Sequence, residues 1–121
     1  MTVPTEDLIP LGHILEASGW ALLVAEGRTR RDLDSDLQFF LALCRAVEVV
    51  GEAANRVCDA TQTRTPEIPW RRIIGMRNHL AHRYDNVDHD TLWDVATIHL
   101  ITLRENVRLL IPNDFTPIPL R

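Results

Sequence analysis

The stretch Leu37-Gln38-Phe39-Phe40-Leu41-Ala42-Leu43-Cys44-Arg45-Ala46-Val47-Glu48-Val49-Val50-Gly51-Glu52-Ala53-Ala54 decides the fold class. From just before it to just after it, Leu33, Leu37, Phe40, Cys44, Val47, Gly51, Ala54 and Cys58 recur in alternating steps of four and three. That is the period of one helix face, and Asp34 or Ser35 can cap its start. The residues shrink along the second half. Gly51, Ala53 and Ala54 allow another backbone to come close there, either a crossing helix or a second copy of the chain. Glu48 and Glu52 lie one turn apart beside that small-residue stretch, solvated or reaching an arginine elsewhere.

Upstream, Leu8, Leu11, Leu15, Ser18, Leu22 and Ala25 mark a helix from Thr5 to about Glu26. Thr5 with Glu6 and Asp7 gives start signals, and Gly27 ends it. The charged, non-periodic run 27–36 reads as a connection, and 59–68 as a loop. Pro69 suits the first position of a short helix, Pro69 to Ile74, packed by Trp70, Ile73 and Ile74. Gly75 predicts a bend, and Met76 to about His82 a second short piece. After a polar turn over 85–90, Leu92, Val95, Ala96, His99, Leu103, Val107 and Leu110 stripe a last helix from Thr91 to about Leu110. Pro112 stops it. No stretch alternates with period two, so the fold class is all-α: an up-and-down bundle of three long helices plus a short broken one. One domain is expected over residues 1–121, with its core at about 5–111 and a tail at 112–121.

Composition narrows the class of function. The chain has 121 residues, 45% hydrophobic and 25% charged, ordinary for a globular domain. No apolar run approaches the roughly 20 residues of a membrane span. The start, Met-Thr-Val-Pro-Thr-Glu-Asp, lacks the basic-then-apolar order of a secretory signal, so a cytoplasmic, membrane-free protein is expected. Cys44 and Cys58 lie on one helical pattern about 20 Å apart, too far for a disulfide, and read as two small buried thiols. A net charge of −4 argues against a broad basic surface that coats nucleic acid. It leaves room for a local patch, and all thirteen basic residues are arginine, the better phosphate fork.

The unusual chemistry sits in Ile74-Gly75-Met76-Arg77-Asn78-His79-Leu80-Ala81-His82-Arg83-Tyr84. Asn78 and His82 share a helix face, and His79 and His82 are neighbours. Arg77 and His82, five apart, stand about 140° apart around an ideal helix. They converge only if the helix end distorts, if the arginine wraps round, or if a second copy supplies one of them. His13, His89 and His99 read as capping or core groups. A metal set from His79, His82, Asp85 and His89 matches no strong spacing, and no metal or cofactor is expected. A purely structural knot would pair Arg77 with carboxylates, and no acid occurs here before Asp85.

Arg77-Asn78-His79-Leu80-Ala81-His82-Arg83-Tyr84 resembles the signature of HepT-like toxins in the HEPN superfamily: Arg, a polar residue, three more, His, any residue, Tyr. Val50-Gly51-Glu52-Ala53-Ala54 resembles the family's Gly-Glu-Ala segment. Pro66-Glu67-Ile68-Pro69-Trp70 with Ile73-Ile74-Gly75-Met76 resembles its run into the motif, and Asp88 to Trp93 the start of its last helix. The resemblance covers about residues 5–111. It implies a metal-independent endoribonuclease, the toxin of a type VII-like toxin–antitoxin pair, acting as a homodimer with two motifs across a shared cleft. It also implies a minimal nucleotidyltransferase antitoxin that attaches AMP to the motif tyrosine, here Tyr84.

The residue chemistry is compatible. RNA carries its own nucleophile, so cleavage needs proton transfer, assigned to His82, and phosphate stabilisation, assigned to Arg77. Asn78 and His79 support them, Asn78 by orienting His82 or the phosphate. Arg71, Arg72 and Arg83 are candidates for RNA backbone contacts. The alternative of another class is a non-catalytic helical module that binds a nucleotidyltransferase or a nucleotide.

Overall fold

The computed structural model describes residues 2–83 and 85–121, and among them every regular element is helical. The elements are α1 (Thr5–Ala25), α2 (Asp32–Ser35), α3 (Leu37–Asn55), α4 (Asp59–Arg64), α5 (Trp70–His82), α6 (His89–Asp94), a π-helical turn (Val95–His99) and α7 (Leu100–Arg108). The all-α reading holds.

Helix α1 forms, with α3, the central pair of the bundle. It packs along α3 on one side and against the π turn and α7 on another. Leu11, Ile14, Ala17 and Ala21 are completely buried, and Leu43, Val50 and Ala54 of α3 meet the same core. Burial therefore follows two neighbours rather than one stripe. The predicted α3 stripe is rotated accordingly: Phe39, Leu43, Ala46 and Val50 go inside, whereas Leu37 is 69% exposed. Asp36, not Asp34 or Ser35, caps α3 by accepting from the Phe39 N–H at 3.1 Å.

Wrapping by several neighbours also makes α1 apolar on most sides. At 21 residues and mean hydropathy 1.5 it is long and apolar enough to cross a membrane by composition, which corrects the expectation that no stretch comes near. Its buried side chains are spent on the core of the bundle. The half-buried guanidinium of Arg104 on α7 donates to the Leu15 carbonyl and to Ser18 Oγ (2.9 Å), joining the two helices. Residues 112–121 are not a loose tail. Pro117 lies over Gly12, where an added Cβ would sit 3.0 Å from the proline Cβ, and the Leu120 N–H donates to Glu16 Oε2 at 2.7 Å.

Three further differences have local causes. Helix α3 stops at Asn55, and α4, with Cys58 as the residue before it, occupies Asp59–Arg64 of the stretch 59–68 read as a loop. What organises α4 is Asp7 of α1, only 3% exposed. Its carboxylate accepts from Thr61 Oγ1 (2.5 Å), Cys58 Sγ (3.0 Å) and the Cys58 N–H (3.1 Å). The two thiols are thus not both buried: Cys44 is half-buried, Cys58 is exposed, and both are free. Burial, then Glu48, push the Cys44 thiol up to about 11, so it stays protonated. In the last helix the π turn inserts one residue into the register, so Leu100 is buried and His99, placed in the stripe by sequence, is exposed.

Burial raises the Asp7 carboxyl, but the hydrogen bonds from Thr61 and Cys58 together leave it below its ordinary value. A lowered folded pKa stabilises the fold above the unfolded pKa, and that contribution is lost as pH falls through the folded one. Asp7→Ala should therefore cost about 1–3 kcal/mol at pH 7, because it strands the Thr61 and Cys58 donors. The difference from wild type should shrink below about pH 4. Urea unfolding at pH 7 and pH 3 checks both.

Candidate functional site on helix α5

Helix α5 is placed by its crossing with α3 at Gly51. A Cβ built on Gly51 would lie 2.2 Å from Arg77 Cβ and 2.8 Å from the Ile73 carbonyl oxygen. Of the two ways the small-residue stretch could be used, a crossing helix is the one observed. Trp70 anchors the start of α5, buried and donating Nε1–H to Thr65 Oγ1 at 2.9 Å. Leu80 is buried near the other end, and Ile73 and Met76 pack between them.

Pro69 is the residue before the helix, and α5 is continuous from Trp70 to His82. The predicted break at Gly75 does not occur. Gly75 is exposed, has no atom within 4 Å of an added Cβ and lacks the positive φ of a turn glycine. With Ile73 and Arg77 against Gly51 of α3 and Met76 and Leu80 packed in the core, the helix has no reason to bend there.

Continuity settles the azimuths. The helix remains regular up to His82, and the Arg83 N–H just beyond it still reaches the His79 carbonyl at 2.8 Å. Distortion of the helix end therefore does not bring Arg77 and His82 together, and they stay about 140° apart. Nor does the arginine wrap round: its Nη1 donates to Asn78 Oδ1 at 2.9 Å. Arg77 is half-buried beside α3, while Asn78 and His82 are exposed. Asn78 thus orients Arg77, and no hydrogen bond to His82 is formed among the described residues. Glu48 and Glu52, candidates to reach the arginine cluster, pair instead with Arg45 on the same helix and with Arg56 at its C-terminal cap.

The supporting residue His79 points elsewhere. Its Nε2 lies 2.9 Å from the Asn86 carbonyl oxygen, in the segment that leaves α5. His89 is neither a cap nor a core group: its Nδ1 meets Asp34 at 2.7 Å and its ring lies 4.8 Å from that of Phe40. Arg30 bridges Asp34 (2.9 Å) and Asp90. The bond from His89, then that from Arg30, hold the Asp34 carboxyl below its usual range. This bracket, joining 30–34 to 89–90, had no signal in the sequence. Tyr84 lies outside the described residues. Among the described residues no three of His, Cys, Asp and Glu converge as a metal set.

The charge of α5 is unusual for this chain. It carries Arg71, Arg72 and Arg77 and no acid, on a protein of net charge −4. Arg71, Arg72 and Arg83 are exposed and form no ion pair among the described residues. Beside Arg72 a groove of about 580 Å³ opens between α5 and the last helix, walled mainly by Val47, Val50, Ile73, Met76 and Leu103. If Arg71 meets an RNA phosphate, Arg71→Ala should make the slope of log affinity against log salt shallower by about 0.7. A salt titration of RNA binding at fixed pH measures this.

Comparison with known proteins agrees with these features. Residues 14–110 match a family described as ribonuclease HepT-like. A probable ribonuclease HepT of Thermococcus cleftensis is 42% identical over 71 residues, 59% of this chain and 63% of that protein. A protein of Caldanaerobacter subterraneus subsp. tengcongensis, named as a putative RNase, is 25% identical over 104 residues, 86% of this chain and 93% of that one. Another so named, from Methanocaldococcus jannaschii, is 29% identical over 69 residues, 57% of this chain and 63% of its own. The matched part thus spans just under two thirds of the first of these relatives. No solved structure matches the chain significantly. A match over most of the chain makes it a member of the HepT-like ribonuclease family of HEPN proteins.

Proposed function

We propose that the protein is a metal-independent endoribonuclease that acts as the toxin of a type VII-like toxin–antitoxin pair. In this reading His82 accepts the proton of the RNA 2′-hydroxyl as its oxygen attacks the adjacent phosphorus. The bond to the 5′-oxygen breaks, the leaving oxygen takes up a proton, and a 2′,3′-cyclic phosphate remains. Arg77 holds the non-bridging oxygens, where negative charge builds, by charge-assisted hydrogen bonds. Asn78 fixes the guanidinium, and Arg71, Arg72 and Arg83 hold the backbone of the RNA.

The observation that carries the reading is the continuity of α5 through Gly75. It separates Arg77 from His82 on one copy while keeping both on an acid-free helix. A complete site then takes its arginine from one subunit and its histidine from another, in a homodimer. The partner is a minimal nucleotidyltransferase that attaches AMP to Tyr84, adding bulk and negative charge where an RNA phosphate would approach. The setting is the cytoplasm.

Mixing two inactive variants tests this. Arg77→Ala and His82→Ala subunits, exchanged to equilibrium, should recover about a quarter of wild-type cleavage, because half the dimers are mixed and each has one intact site. No recovery would mean that both residues act within one chain. No cleavage by the wild-type protein either, with stable binding of a nucleotidyltransferase, would favour the non-catalytic module.

A further inference from the structure

We propose that His79 is a positioning residue that fixes the chain leaving the motif helix, and with it Arg83, for binding RNA; this rests on the ribonuclease reading above. His79 bonds to both Arg83 and Asn86. Its main-chain carbonyl accepts from the Arg83 N–H at 2.8 Å, and its ring Nε2 lies 2.9 Å from the Asn86 carbonyl oxygen. The Asn86 N–H in turn donates to the Arg83 carbonyl at 2.9 Å.

A carbonyl oxygen only accepts, so Nε2 of His79 carries the proton in this contact. The neutral ring with its proton on Nε2 satisfies it, and so does the cation. Removing that proton breaks the contact. A histidine so engaged suits holding better than shuttling, which separates His79 from the exposed His82, three residues along the same helix.

The downstream end of the segment is pinned independently. Asp88 caps α6, accepting from the Asp90 N–H at 2.9 Å and from Thr91 Oγ1 at 3.1 Å. His89 then binds Asp34 and packs its ring against that of Phe40, and Arg30 ties Asp90 to Asp34. With residues 88–90 anchored on α2 and α3, His79 is the anchor on the α5 side. Without it the exit from α5 swings about a fixed downstream point, and Arg83 loses its place relative to His82.

The test compares His79→Leu, which removes the donor, with His79→Gln, whose amide nitrogen can reach the same carbonyl. His79→Leu should raise KM for an RNA oligonucleotide about fivefold, the worth of one ordinary hydrogen bond, with kcat within about twofold. His79→Gln should restore KM and keep the wild-type pH profile of kcat. In the double variant with Arg83→Ala, His79→Leu should add nothing to the loss from Arg83→Ala alone. Limited trypsin digestion at Arg83 provides a readout that needs no ribonuclease activity, and it should quicken in His79→Leu and return to the wild-type rate in His79→Gln. Unchanged trypsin rates would overturn the proposal whether or not the protein cuts RNA. So would a His79→Gln variant that has lost kcat and one limb of the pH profile, because His79 would then transfer a proton.

Discussion

Replacing His82 by alanine is expected to lower RNA cleavage about 10³-fold while leaving the fold intact. The magnitude is that of a general acid–base group, typically 10²–10⁴. The intact fold follows from the exposure of His82 and from its having no hydrogen bond among the described residues, so its loss should move stability by no more than about 0.5 kcal/mol. Arg77→Ala should lose about 10²–10³ by removing a donor to the developing phosphate charge. Arg77→Lys should recover little of that, because an ammonium cannot reproduce the planar fork that Asn78 holds. Steady-state cleavage alongside thermal unfolding separates the two effects. A His82→Ala protein that is folded and fully active would remove His82 from the chemistry.

Gly51→Ala should do the opposite, damaging the fold first. The added methyl would meet Arg77 Cβ at 2.2 Å and the Ile73 carbonyl at 2.8 Å, and neither is the far end of a flexible side chain. Helices α3 and α5 must then move apart, at a cost of about 3 kcal/mol. For a domain of this size that lowers Tm by roughly 10 °C. Since Arg77 is the residue displaced, the folded fraction should also lose activity. The control is Gly75→Ala, where nothing lies within 4 Å of the new methyl on an exposed helical turn. It should stabilise α5 by about 0.5–1 kcal/mol, as alanine does over glycine in a helix interior. A Gly51→Ala protein as stable as wild type would show that the crossing is looser than the structure has it.

These two glycines show how far the sequence can be read. Gly51, in a run of shrinking residues on a clear helical period, announces a close approach, and one is found. Gly75 looks like a hinge by type alone; its context, Ile73, Met76 and Leu80 in the core and Arg77 beside Gly51, keeps the helix continuous. Helix number and class follow from periodicity. Which side of each helix is buried does not, because α1 and α3 each have more than one neighbour. Phe39 and Leu43 accordingly replace Leu37 on the inner side of α3, and one π turn exchanges Leu100 for His99.

The candidate site divides in the same way. Arg77, Asn78 and His82 stand out by type and spacing, and their separation around the helix is computable from an ideal geometry that the structure preserves. The partners of His79 and His89 are not legible, since they depend on where Asn86 and Asp34 come to lie in space. Asp34 is 55 residues from His89 in sequence. Local pattern picks out the candidate residues, and long-range contacts decide which histidine is held and which is exposed.

The most direct test of the central claim is cleavage, in excess EDTA, of an RNA oligonucleotide and of the same oligonucleotide with a single 2′-deoxy substitution at the cleaved position. RNA supplies the nucleophile in this account, so the first should be cut to a 2′,3′-cyclic phosphate end and the second should resist at that position. Cutting of both at equal rates, or of neither until a divalent metal is restored, would contradict it.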